Sequence, residues 1–358
     1  MSVNTRRVKS LIDELEKLKL DGLFVSSLTN IRYLSGFTGS AARLVVLKDG
    51  QHFFSDTRYA EQSKKEVGGC AIHMIKKGYI ETIAEQKIIS EGLRLGIEAT
   101  DMNLKTYRAL LKAFPKVEWV ETESVVEKIA AVKDETEISL LKKAAEITDK
   151  TFSEILNDIS AGSRERDVAA KLSFLLKKYG ADGDSFSPIV ASGTHSALPH
   201  ARPTDKVMAK GEFVVLDFGG VYQGYHADMT RTVAIGEADE RMREVYGVVL
   251  EAQMAAIKAA KAGMTGHEVD KICRDYITAK GYANQFCHST GHGIGLEVHT
   301  YPLIAITNNE PLLENYAITI EPGVYIPGWG GVRIEDDCYL TAEGCTLLTR
   351  SPKELTIL

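Results

Sequence analysis

The sequence predicts a two-part α+β protein, with a smaller N-terminal α/β domain ahead of a larger domain of helices set around antiparallel strands. Three observations predict it. Helix-like and strand-like runs alternate through the first third of the 358 residues. Four long helix-like stretches mark the remainder. The β-rich stretches between and after them are separated more often by short turns than by crossover helices, which is the antiparallel pattern. The length suits two domains or one large one.

In the first third, Val8, Leu11, Ile12, Leu15 and Leu18 form the apolar stripe of a surface helix over 5–19. Leu23-Phe24-Val25 reads as a strand running into a polar turn. The runs 43–47 and 52–54 flank Lys48-Asp49-Gly50-Gln51, a hairpin with its turn chemistry at Asp49-Gly50. A strand over 93–97, a helix over 103–114 and a strand over 117–120 complete this domain. From Glu123 to Lys150 the chain is rich in Glu, Lys, Ala and Leu and free of Gly and Pro, with Ile138, Leu141, Ala145 and Ile147 on one face. That reads as a connecting helix, and it places the domains at 1–128 and 129–358. Further helices are expected at 135–158, 164–179, 240–261 and 266–280, and strands at 212–218, 224–235, 317–326 and 332–341. No solenoid-type period is present.

Composition narrows the function. A chain with 44% hydrophobic and 26% charged residues is ordinary for a soluble protein. A net charge of −6 with scattered Lys and Arg supplies no basic field, which argues against nucleic acid as the main partner. The N-terminus leads straight into an amphipathic helix, not the apolar core of a signal peptide. No run approaches the roughly 18 apolar residues that span a bilayer. Five cysteines (Cys70, Cys273, Cys287, Cys338, Cys345), odd in number and without C-x-x-C pairing, read as reduced thiols of a cytoplasmic protein.

Five side chains carry the chemistry in combination. Asp217 ends the apolar run 213–216, and Asp228 follows Tyr225-His226-Ala227. His292 sits in Gly291-His292-Gly293, Glu321 ends the run 317–320 ahead of Pro322-Gly323, and Glu335 follows Val332-Arg333-Ile334. Any one carboxylate could cap a strand end or pair with a nearby Arg. A buried ionised carboxylate is costly unless paired, hydrogen-bonded or bound to a metal. Four of them sharing a pocket with one imidazole repel one another unless cations intervene, so the set makes sense mainly as a site for two divalent ions, with Mn²⁺, Co²⁺ or Zn²⁺ suitable.

In order and spacing, Asp217, Asp228, His292, Glu321 and Glu335 resemble the metallopeptidases of the pita-bread fold, which include aminopeptidase P, prolidase, methionine aminopeptidase and creatinase. The resemblance covers nearly the whole chain. In the first third, 30–39 (NIRYLSGFTG) and Asp56-Thr57-Arg58-Tyr59 look like the creatinase-like N-terminal domain of the proline-specific branch, which methionine aminopeptidases generally lack. The resemblance implies a dinuclear peptidase that cleaves the Xaa-Pro bond of dipeptides or short peptides by attack of a hydroxide held between the ions, and a homodimer. It also implies that Asp217 binds one metal through both oxygens, that Asp228 and Glu335 bridge the pair, and that His292 and Glu321 complete the second. Glu321 is then the proton shuttle.

By the same resemblance His200 and His299 flank the substrate carbonyl and prolyl residue, and His288 stands behind the ligands or against the substrate. A lone His is otherwise a surface or core residue, and His226 reads as a strand residue facing away. His52, His73, His195 and His267 read as structural. Arg333 either holds a metal-bound carboxylate or reaches a substrate carboxylate, and the first is preferred. Tyr225 and Trp329 either line the proline pocket or pack. The chain departs from the family at Thr300, where an acid usually follows Val298-His299. Rival readings are a metal-free creatinase-like C–N hydrolase and a non-catalytic peptide-binding module on the same fold. Retention of the full ligand set argues against both.

Overall fold

A computed structural model describes residues 3–358, and the chain divides after Ala130 into two compact units. The N-terminal unit is built on a six-stranded mixed sheet in the order Ala71–Ile75, Gly50–Asp56, Ala42–Leu47, Gly22–Val25, Arg94–Glu98, Glu118–Thr122. The first helix, Val3–Lys17, buries Val8, Leu11 and Leu15 as its stripe predicts, whereas Leu18 lies beyond its end and is 42% exposed. In the hairpin, Leu47 pairs with Gly50, so the two-residue turn is Lys48-Asp49 and Gly50 belongs to the returning strand. A short helix, Leu28–Ser35, stands where a polar turn was expected. The Ser27 side chain caps its start, and Gly36 ends it at φ 86°.

The single helix expected over 123–150 is broken. Val125–Ala131 and Glu135–Ile155 are separate helices, and Val132 between them bridges to Tyr316. The second starts with a capping box in which Asp134 and Glu137 each take the other's backbone N–H. A stop of this kind needs no Gly or Pro, which is why their absence misled.

In the C-terminal unit two helix pairs cover two sheets. Glu135–Ile155 and Glu165–Lys178 pack on Val190, Val214, Leu216, Phe218, Met229 and Val233. These belong to a four-stranded sheet in the order Thr356–Ile357, Met229–Ala234, Phe213–Phe218, Ile189–Ser192. Glu240–Ala259 and Gly266–Ala279 pack on Ile318, Ile320, Val324, Val332, Ile334 and Leu340. A five-stranded sheet runs Thr300–Ile304, Gly291–Gly293, Ala317–Ile320, Asp336–Leu340, Cys345–Leu347, and Gly323–Ile326 with Gly330–Arg333 forms a separate ribbon. Three strands expected as continuous are interrupted: 224–235 at Ala227-Asp228, 317–326 at Glu321-Pro322, and 332–341 at Ile334-Glu335. No helix among the described residues is long and apolar enough to cross a membrane.

Candidate metal centre and active site

Those three interruptions each carry a candidate ligand: Asp228, Glu321 and Glu335. Asp217 lies one residue from the end of Phe213–Phe218, whose six residues are all buried. His292 is the middle residue of Gly291–Gly293, where the register shifts. A break releases a residue from the ladder and turns the chain from one sheet toward another, so acids from both sheets meet. The glycines flanking His292 are required by close approach: a Cβ would stand 2.1 Å from Thr319 O at Gly291 and 2.2 Å from Tyr301 O at Gly293.

Ligating atoms of Asp217, Asp228 and Glu335 lie within 4.8 Å of one another, as do those of His292, Glu321 and Glu335, and those of Asp228, His292 and His299. His292 Nε2 is 3.3 Å from Glu321 Oε1 and 3.7 Å from Asp228 Oδ2. Its Nδ1 meets Gly293 O at 3.0 Å and must carry the proton there, leaving Nε2 as a lone pair aimed at the acids. Burial, with His299 beside it, pushes the His292 imidazole down to about 4, so it is neutral near pH 7. Burial first, then Glu335 and Asp217, hold the Asp228 carboxyl well above its ordinary range, and burial with Glu321 and Asp217 does the same to Glu335.

Asp217 Oδ1, Asp228 Oδ1 and Glu335 Oε1 are buried without a hydrogen-bond partner. Natural interiors leave few such atoms. These three belong to one triple, and a divalent cation would supply what all three lack. The donor set of carboxylate oxygens and one imidazole suits borderline-hard divalent ions.

Around the acids runs a network in which sequence reasoning found only Arg333 and His288. The Arg333 guanidinium pairs with Asp217 Oδ2 and donates to Thr230 Oγ1 (3.0 Å), Pro199 O (3.1 Å) and Tyr325 Oη (2.6 Å). Thr230, opposite Asp217 in the sheet, donates its own hydroxyl to Glu335 Oε2 at 2.6 Å. His288 Nδ1 donates to Ser289 O, so its Nε2 accepts from the Tyr325 hydroxyl at 3.0 Å. Burial, then Arg333, push His288 down to about 4, in keeping with that acceptor role. Thr319 Oγ1 accepts from His292 N and donates to Glu321 Oε1, both at 3.1 Å. Asp337 Oδ2 accepts from Asp228 N at 2.8 Å. Thr230, Thr319, Tyr325 and Asp337 all fall within four residues of a candidate ligand. That adjacency was their only signal.

A pocket opens on the acids, lined by Asp217, Asp228, His292, Glu321, Glu335, Arg333, His200, His288, His299 and Thr300, with Phe186, Ile189, Pro199 and Leu303 as its apolar wall. Tyr225 and Trp329 do not line it. Tyr225 is buried with its hydroxyl on Glu137 at 2.9 Å, and Trp329 packs edge-on to Phe213 under Arg241. Of the other histidines, His52 meets His73 in the N-terminal unit, His267 meets Ile306 O and His195 meets Glu165.

The geometry has close counterparts among known proteins. The model of metallopeptidase family M24 matches residues 139–342, and that of the creatinase/prolidase N-terminal domain matches 7–132. A Xaa-Pro dipeptidase of Pyrococcus horikoshii is 36% identical over 355 residues, covering 99% of this chain and 100% of that one. The solved Xaa-Pro dipeptidase from Bacillus anthracis is 42% identical with a TM-score of 0.96, covering 99% and 100%. An X-Pro aminopeptidase from Thermotoga maritima is 39% identical with a TM-score of 0.87, covering 96% and 99%. The fold is therefore a pita-bread domain preceded by a creatinase-like domain. With family model and full-length relatives in agreement, the chain belongs to metallopeptidase family M24.

Proposed function

We propose that this chain hydrolyses the bond between an N-terminal residue and a following proline, using two divalent ions held by Asp217, Asp228, His292, Glu321 and Glu335. The observation that carries the reading is the set of overlapping ligand triples, one of which leaves three buried carboxylate oxygens without a partner. The relatives named Xaa-Pro dipeptidase and X-Pro aminopeptidase support the substrate class. Manganese is the first choice for an oxygen-rich set with one imidazole, with cobalt or zinc as substitutes.

When bound, the ions lower the pKa of a water and polarise the scissile carbonyl. Glu321, whose Oε1 is steadied by Thr319, takes a proton and passes it to the leaving prolyl nitrogen. His200 and His299, both exposed at the pocket, donate hydrogen bonds as charge develops on the carbonyl oxygen. Arg333 holds Asp217 in place, and His288 stays neutral behind Tyr325. A prolyl bond has no N–H and a fixed ring, and the wall of Phe186, Ile189 and Leu303 accepts that ring.

One observation favours peptides longer than two residues. Among the described lining residues Arg333 is the one permanent cation, and its donors already serve Asp217, Thr230, Pro199 and Tyr325. A dipeptidase needs a group to read the free carboxylate of its proline, whereas an aminopeptidase needs room for more chain. The dipeptidase names among the relatives weigh the other way. A cytoplasmic setting suits the five unpaired cysteines, and a homodimer follows by fold analogy.

The test is hydrolysis of a Xaa-Pro dipeptide and a Xaa-Pro-Xaa tripeptide by metal-stripped protein, with and without added Mn²⁺. Cleavage that appears only with metal supports the reading, and the ratio of the two rates chooses dipeptidase or aminopeptidase. No cleavage of either by demonstrably metal-loaded protein overturns it and moves the binding-module and C–N hydrolase readings forward.

A further inference from the structure

Outside the ligand cluster, one buried carboxylate is surrounded by donors from three segments. Glu165 opens the helix Glu165–Lys178 and is fully buried, yet no side chain caps that helix start. Its Oε1 instead accepts from Ser192 N (2.7 Å), Ser192 Oγ (3.0 Å) and His195 Nδ1 (3.0 Å). Its Oε2 accepts from His195 Nδ1 (2.9 Å), Thr204 N (3.1 Å) and Thr204 Oγ1 (2.7 Å). Burial works to raise this carboxyl, but the bonds from Thr204, His195 and Ser192 hold it below the ordinary range, so it is ionised. Hydrogen bonds to an ionised acceptor are the strong ones.

Ser192 and Thr204 are the two feet of one loop, 193–203. It begins with the 3₁₀ turn Gly193–Ala197 and continues through exposed Leu198 to Pro199 and His200. Two ties hold its middle: Gly331 N donates to Ser196 Oγ at 2.8 Å, and Arg333 donates to Pro199 O at 3.1 Å. Among the described residues the His200 imidazole has no hydrogen-bond partner, so the loop backbone alone sets where it stands in the pocket.

We propose that Glu165 and His195 form a positioning clip that closes the base of this loop and so sets the reach of His200 into the active site. The inference rests on the reading that His200 touches substrate. Neither clip residue lines the pocket; both act through the loop.

The experiment uses the full Mn²⁺-loaded chain. Glu165→Gln replaces half of the acceptor capacity with donors, and it should lower kcat on a Xaa-Pro peptide about tenfold or more while metal occupancy and KM hold. In a His200→Ala background the same substitution should have little further effect, because the two act as one unit. His195→Asn, which keeps a donor near Nδ1, should retain most of the activity that His195→Ala loses. Amide exchange should quicken over 193–203 and stay unchanged over 213–218. A Glu165→Gln loss of the same factor with and without His200, or unchanged exchange in the loop, overturns the clip. If His200→Ala alone leaves kcat intact, the role given to His200 fails, and exchange still decides the clip. Should Glu165→Gln not fold, His195→Ala carries the same readouts, since His195 is 19% exposed.

Discussion

Glu335 and Asp336 are consecutive residues and both are buried, at 1% and 0% exposure, but their surroundings differ in kind. Asp336 Oδ1 accepts from Arg231 Nη2 (2.7 Å) and Thr349 Oγ1 (2.9 Å), and its Oδ2 from Lys353 Nζ (2.6 Å) and Gln253 Nε2 (2.7 Å). Arg231 in turn spends its other donors on the carbonyls of Thr230, Glu335, Ser351 and Pro352. The Glu335 side chain has one bond, from Thr230 Oγ1, an unpartnered Oε1, and three further acids within reach, Asp217, Asp228 and Glu321. Burial works to raise both carboxyls. Arg231 and Lys353 overcome it at Asp336, whereas at Glu335 the neighbouring Glu321 and Asp217 add to it. One acid is completed by the protein, whereas the other is left with an unpartnered oxygen among acids, which is what a cation site requires. What separates structural from functional buried charge is where the counter-charge comes from, and neither burial nor residue type reveals it.

The largest effect that could break this contrast comes from Glu335→Gln. Turnover should fall on the order of 10³-fold or more, while the metal-free protein melts no lower than its parent, because a repelled carboxylate has been removed. Turnover assays beside melts in chelator check both halves, and a marked loss of metal-free stability would place Glu335 with Asp336 after all. Asp336→Asn should do the reverse. It strands Arg231 and should cost about 3–5 kcal/mol of stability by urea unfolding, with kcat kept in the folded fraction.

Thr230→Val tests the seam between the two regions. Glu335 and Arg333 both lose the hydroxyl, and metal affinity should weaken about 10–100-fold in a metal titration, with a smaller change in stability. The smallest effect is in pH. The folded Asp336 carboxyl lies below its unfolded value of about 3.9 despite burial, held there by Arg231 and Lys353. Its contribution is therefore complete above that unfolded value and fades as pH falls through the lower folded one. Acid titration of stability should show a shallower low-pH limb in Asp336→Asn than in the parent, and identical limbs would remove Asp336 from the account.

Much of the candidate site could be read along the chain, because the residues that the fold brings together are mostly acids placed where apolar runs end, a local pattern that burial makes costly. The helices over 135–155, 165–178, 240–259 and 266–279 were legible from periodicity for the same reason. The strand breaks at Asp228, Glu321 and Glu335 were not. Ile334 continues an apolar run whether or not the ladder continues, and Pro322, which cannot donate to a ladder, fits an edge strand or a break equally, so the choice depends on which sheet lies alongside. Tyr225 and Trp329 show the same limit in reverse: an aromatic ring suits a pocket wall and a core equally, and here Glu137 and Arg241 claimed them.

The sequence by itself determined the two-part α+β plan, the five metal-ligand candidates and the histidines around them, because these depend on residue type and near-neighbour spacing. Only the tertiary structure decided that Arg333 pairs with Asp217, that Thr230 and Tyr325 carry hydrogen bonds between segments far apart in the chain, and that Glu165 accepts hydrogen bonds from Ser192 and Thr204 on either side of the loop bearing His200. Such contacts depend on which strands and loops lie side by side, and the energy of a buried charge is set by all its neighbours in space at once.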